Sequence, residues 1–197
     1  MRTIEVKLYK FEELSPEAQA KAIKKETERA YNNLELWGFN EDATMQIEGE
    51  GFENPALSYS LGYRQGDGLS FKADRYTKLT EIFIKILGPG KEKTAQLLAD
   101  NCTQNLTGNR GHYCYAKRDQ VDLYIDNLTS SINVVNTNNI DAVVNKALTM
   151  LEDIYMDLCK KLEKQGYDEI EYLTSEECAK ETLIANEVEF TENGSIY

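Results

Sequence analysis

Seven carboxylates crowd residues 163–181: Glu163, Asp168, Glu169, Glu171, Glu176, Glu177 and Glu181, with Tyr167 and Tyr172 among them. Residues three and four apart are neighbours on a helical surface, so these spacings set carboxylates several ångströms apart, roughly the scale on which duplex phosphates recur. A rigid array of that kind competes for a lysine- and arginine-lined groove built for DNA, and tyrosines add contact area at low entropic cost. The same pattern also suits a solvated acidic helix with no partner.

A second candidate is the tip of SYSLGYRQGDGLSF (58–71). Tyr59, Leu61 and Tyr63 alternate as in a strand with one apolar, aromatic face, and Leu69 and Phe71 resume the alternation. Between them Arg64, Gln65, Gly66, Asp67 and Gly68 form a polar turn. The segment reads as a β-hairpin whose tip presents Arg64, Gln65 and Asp67 to a partner, or simply as a hairpin that closes a core.

Catalytic patterns are sparse. His112 is the lone histidine, with Cys114 two residues on, and a Cys–His couple there lacks an orienting third group. Zinc-protease, nucleophile-elbow, P-loop and dinucleotide motifs do not occur. Cys102, Cys114, Cys159 and Cys178 form no C-x-x-C pair, so they read as reduced thiols and not as a zinc site. Glu48, Glu50 and Glu53, or Asp119, Asp122 and Asp126, could be drawn into a metal nuclease site, but such an enzyme needs basic surface to hold its substrate. The expectation is a non-enzymatic protein with no catalytic residues, no bound metal and no cofactor.

Charge sharpens that expectation. The chain has 197 residues and a net charge of −12, unevenly placed. Residues 12–53 hold 11 acidic against 4 basic groups, and residues 151–197 hold 13 against 4, whereas residues 54–150 hold 9 against 11. Acidic blocks repel nucleic acid and attract basic proteins, so direct nucleic-acid binding is not expected and a protein partner is. No apolar run reaches the length of a membrane span, and MRTIEVKLYK has no signal-peptide core, which points to a cytoplasmic protein with no membrane partner.

The elements that would position these groups read as α+β: a central antiparallel sheet, flanking helices and a long C-terminal amphipathic helix, in one domain spanning 1–197 with 138–186 as a candidate helical subregion. Ile4, Val6 and Leu8 suggest a first strand. Ser15-Pro16-Glu17 starts a helix that runs to about Leu36, where Trp37-Gly38-Phe39 ends it. Strands are expected at 44–52, 56–63, 69–74, 111–117 and 121–126, and helices at 76–87 and 91–101. From Ile140 a stripe through Val143, Val144, Ala147, Leu148, Leu151, Ile154, Tyr155, Leu158 and Leu162 marks the long helix. That stripe fits core packing, or the seam of a homodimer. Thr174 and Glu177 suggest a capping box for a last helix. Val188 and Phe190 then alternate before an Asn193-Gly194 turn.

FEELSPEAQAKAI (11–23), YSLGYRQGDGLSF (59–71), GHYCY (111–115) and YLTSEECAKETLIANEVEFTENGSIY (172–197) resemble small phage and prophage accessory proteins of Gram-positive bacteria. Some members of that group are similar to anti-CRISPR inhibitors and others carry an antitoxin-like description. The resemblance implies a protein made in the bacterial host cell during infection or from a prophage. It implies a partner that is a CRISPR effector nuclease of the Cas9 type, or that effector with its guide RNA, held off target DNA by the acidic surfaces. An antitoxin-like or regulatory phage protein that binds another protein is the alternative. It transfers no catalytic residue.

Overall fold

The computed structural model describes residues 5–108, 113–125 and 139–197. In chain order the elements are β1 (Tyr9–Lys10), α1 (Pro16–Asn32), α2 (Trp37–Glu50), β2 (Phe52–Glu53), β3 (Ala56–Ser60), β4 (Gly68–Ala73), β5 (Arg75–Tyr76), α3 (Leu79–Leu87), α4 (Glu92–Asn101), β6 (Cys102–Thr107), β7 (Val121–Ile125), α5 (Ile140–Leu173), α6 (Glu176–Ala185) and β8 (Glu189–Phe190). The class is α+β, with an antiparallel four-stranded sheet in the order β3-β4-β6-β7 and a long C-terminal helix. Two compact units divide the chain: Met1–Trp37 with Gly166–Tyr197, and Gly38–Gln165.

In the larger unit, Leu69 and Phe71 of β4, Phe52, Phe83 and Tyr155 are buried around the sheet. The rings of Phe52 and Phe71 meet edge to face at 5.0 Å, and Phe39 meets Tyr59 in the same way at 5.5 Å. Ile140, Val144, Ala147, Leu151, Tyr155, Leu158 and Leu162 of α5 are all buried. These residues of the apolar stripe are therefore packed within the chain.

Two side chains act as rungs of the sheet. β4 pairs with β6 only at Lys72↔Thr107 and Ala73↔Leu106. At Phe71, one residue beyond that ladder, the Tyr155 hydroxyl accepts from the backbone N–H (3.2 Å) and donates to the backbone carbonyl (2.9 Å). Likewise Gln104 accepts from the Tyr76 N–H (2.8 Å) and donates to the Tyr76 carbonyl (3.2 Å). Each replaces a neighbouring strand where none continues, so buried backbone groups stay paired.

The smaller unit has its own core: Phe11, Leu14, Ala18, Ala22, Leu183 and Phe190 are buried together. β1 and β8 pair antiparallel, Tyr9 opposite Phe190. Ser15 and Ser175 cap α1 and α6 by accepting from the N–H groups of Ala18 (3.3 Å) and Cys178 (3.1 Å). Replacing Ser175 with alanine orphans one of those donors, and thermal melting should show a loss of about 1 kcal/mol.

Several expectations needed correction. Residues 44–50 belong to helix α2 and not to a strand. In a strand Met45 and Ile47 would share a face; here Met45 is 69% exposed and Ile47 is fully buried, with Phe39, Ala43 and Ile47 forming an inward row four residues apart. Trp37 consequently opens a helix instead of closing one, and α1 ends at Asn32. The first strand falls at Tyr9–Lys10; Val6 and Leu8 lie outside it and Ile4 outside the described residues. β3 stops at Ser60, three residues short, and α3 begins at Leu79 because Arg75–Tyr76 pairs with Phe52–Glu53. Residues 113–117 form no strand; 111, 112 and 126 lie outside the described residues. The cap of α6 is Ser175, while Thr174 donates its hydroxyl back to the Ile170 carbonyl at 2.7 Å.

Candidate functional site

The acidic residues divide between the units. Asp168, Glu169 and Glu171 stand on the last turns of α5, and Glu176, Glu177 and Glu181 on α6, all in the smaller unit. Asp168, Glu171, Glu176, Glu177 and Glu181 are exposed; Glu169 is half-buried. Only two residues, Thr174 and Ser175, separate the helices, and Ile170, Ala179 and Leu183 are buried, so the carboxylates ride on anchored elements. The Tyr172 hydroxyl donates to Glu181 Oε2 at 3.1 Å and joins the two helices at the surface. That bond and the charge of Glu181 raise the Tyr172 pKa above the usual phenol value, with Cys178 and Glu177 adding to it. Residues 166–197 carry nine acidic groups against Lys180 alone.

Glu163 belongs to the larger unit and has a different setting. It is half-buried, and burial followed by the negative charge of Asp67 raises its pKa above the usual carboxylate value. Glu163 is thus brought to the hairpin tip, although it stands on the same helix, α5, as Asp168, Glu169 and Glu171. An acid whose folded pKa is raised destabilises the fold once pH exceeds its unfolded pKa. Glu163→Gln should therefore raise the melting temperature at neutral pH and leave it unchanged near pH 3, where the parent carboxyl is protonated in both states. Melting both proteins across that range checks the sign.

At the tip the three candidates separate. Asp67 Oδ1 accepts from the Ser60 hydroxyl (2.6 Å), and Oδ2 accepts from the backbone N–H groups of Gly62 (2.7 Å) and Arg64 (2.6 Å). The Ser60 bond first, then the backbone bonds, hold the Asp67 carboxyl below its usual pKa. Asp67 is a brace that ties the turn, while Arg64 and Gln65 are exposed above it. Tyr63, expected on the apolar face of the strand, lies beyond the strand in a left-handed conformation (φ 56°) and is 76% exposed.

Glu53 receives the Arg75 guanidinium at 2.7 and 2.9 Å, and Glu48, Glu50, Asp119 and Asp122 are exposed. No group of three metal-ligating side chains forms among the described residues. His112 and Asp126 lie outside them. None of the four cysteines forms a disulfide; burial pushes the Cys159 thiol up to about 12 and the Cys102 thiol to about 11, which keeps both protonated at neutral pH. No helix among the described residues is long and apolar enough to cross a membrane.

The sequence reading missed the tyrosines beside the tip. Tyr113 lies against Gly66, where a β-carbon would overlap its ring, and the Tyr115 backbone lies against Gly68, where a β-carbon would sit 2.7 Å from its Cα. The Cys114 N–H donates to the Gly66 carbonyl at 3.0 Å and pins the segment. The glycines thus serve close approach as well as the turn. The signal is Y-x-Y at 113–115, a spacing that predicts a strand. Comparisons with protein-family models, curated proteins and solved structures find no match for this chain.

Proposed function

We propose that the chain is a phage anti-defence protein that acts without catalysis, an anti-CRISPR inhibitor of a Cas9-type effector nuclease or of that effector with its guide RNA. The observation that carries the reading is the acidic surface of Asp168, Glu171, Glu176, Glu177 and Glu181, exposed on two consecutive helices whose inner faces are buried. Such an effector holds target DNA in a channel of lysine and arginine and reads its PAM with arginines. A fixed array of carboxylates competes for those cations at no cost in reordering a disordered tail.

Purified protein titrated into a Cas9-type effector cleavage assay tests this reading. Inhibition that is relieved by raising the salt concentration, and that is stronger when the protein is added before DNA than after, is the expected result. Absence of binding to every effector tried, with capture of a different bacterial or phage protein instead, would favour the antitoxin-like or regulatory alternative.

A further inference from the structure

Beside the hairpin tip the larger unit carries an aromatic surface that the acidic face does not explain. The rings of Tyr113 and Tyr115 lie 5.8 Å apart at 42°, and Lys117 Nζ stands 4.9 Å over the Tyr115 ring. Tyr113 is 48% exposed, Tyr115 38% and Tyr63 76%. Exposed aromatic rings in water forgo burial, yet here two are held in place by glycines and a backbone hydrogen bond. Arg64 is exposed at the same tip, one residue from Tyr63. Residues 54–150, which contain the whole surface, are net +2 within a larger unit, 38–165, that is net −4, and the Asp67 carboxylate at the tip is tied up by Ser60 and the Gly62 and Arg64 N–H groups.

We infer that Tyr113, Tyr115 and Tyr63, with Arg64 and Lys117, form a stacking platform for a short run of single-stranded nucleic acid. Fixed rings of this kind accept bases by stacking, and a few cations beside them track the phosphates. Two such cations are too few to hold a duplex, whose affinity grows with the number of phosphates neutralised. An acidic peptide would use the cations but has no π-faces for the rings, so the nucleic acid is the better match. The acidic residues 168–181 belong to the other unit, and the platform does not depend on what they bind.

The test is fluorescence anisotropy of the full chain with labelled oligouridine of about ten nucleotides, beside oligothymidine of equal length, a duplex, and a polyglutamate peptide. Saturable binding of the single strands at low salt is expected, with Tyr113→Ala weakening it about tenfold and Tyr113→Phe restoring it. Arg64→Gln should reduce the slope of log affinity against log salt by about 0.7. Circular dichroism confirms folding of each variant; should Tyr113→Ala fail to fold, the salt slopes of Arg64→Gln and Lys117→Gln decide. No single-strand binding, binding unmoved by these variants, or preference for the polyglutamate peptide would overturn the inference. Preference for RNA over DNA, or the reverse, identifies the class of strand.

Discussion

Tyr155→Phe is expected to lower the free energy of unfolding by about 1–3 kcal/mol, and Tyr155→Ala by about 3–5 kcal/mol. The hydroxyl is the only group removed in the first variant, and it serves Phe71 N–H, the Phe71 carbonyl and Gln120 Oε1, the last at 3.2 Å. Burial pushes the Tyr155 hydroxyl well above the usual phenol range, as befits a site that water does not reach. The phenylalanine ring fills the same space against Phe71, 4.7 Å between centroids, so the loss comes from orphaned polar groups and not from a cavity. Alanine adds the cavity. Urea titration should show lower midpoints at unchanged slope; a Tyr155→Phe protein within about 0.5 kcal/mol of the parent would mean the backbone of Phe71 finds another partner.

The second large effect falls on partner binding. Asp168→Lys and Glu171→Lys combined with Glu176→Gln and Glu177→Gln should weaken effector binding about 100-fold at low salt and flatten its salt dependence. Glutamine is the better choice at 176 and 177. These residues occupy the first turn of α6, beside its Ser175 cap, where negative charge favours the helix dipole and lysine would cost stability in its own right. Isothermal titration with the parent and the variant measures the change. Equal affinity of the two would remove the acidic face from the interface and redirect the search to other surfaces.

Local signals read well where one force dominates. Ser15-Pro16 starts α1 as its capping chemistry requires, and Gly88 stops α3 at a positive φ of 87°. The long period-3.6 stripe gave α5 because nothing else can bury Ile140 through Leu162 on one face. The readings failed where periods competed. Met45 and Ile47 alternate like a strand, but only a helix keeps Phe39, Ala43 and Ile47 on one face while turning Met45 away from it, and burying that row decided the outcome. At the candidate site the exposed carboxylates were legible because charge runs seldom lie inside. The neighbourhoods were not: Glu163 faces Asp67, nearly a hundred residues away, and Tyr113 packs on Gly66 across the sheet loop. Such pairings depend on tertiary closure that no local window contains.

The hydroxyl rung described at Phe71 has a kinetic consequence. Most sheet amides exchange their protons with solvent when a neighbouring strand peels away. The Phe71 amide is instead guarded by a side chain of α5, so its exchange reports the departure of a helix. Comparing the deuterium uptake of Phe71 with that of a β4 amide bonded to a neighbouring strand would time the helix and the sheet separately, within one strand.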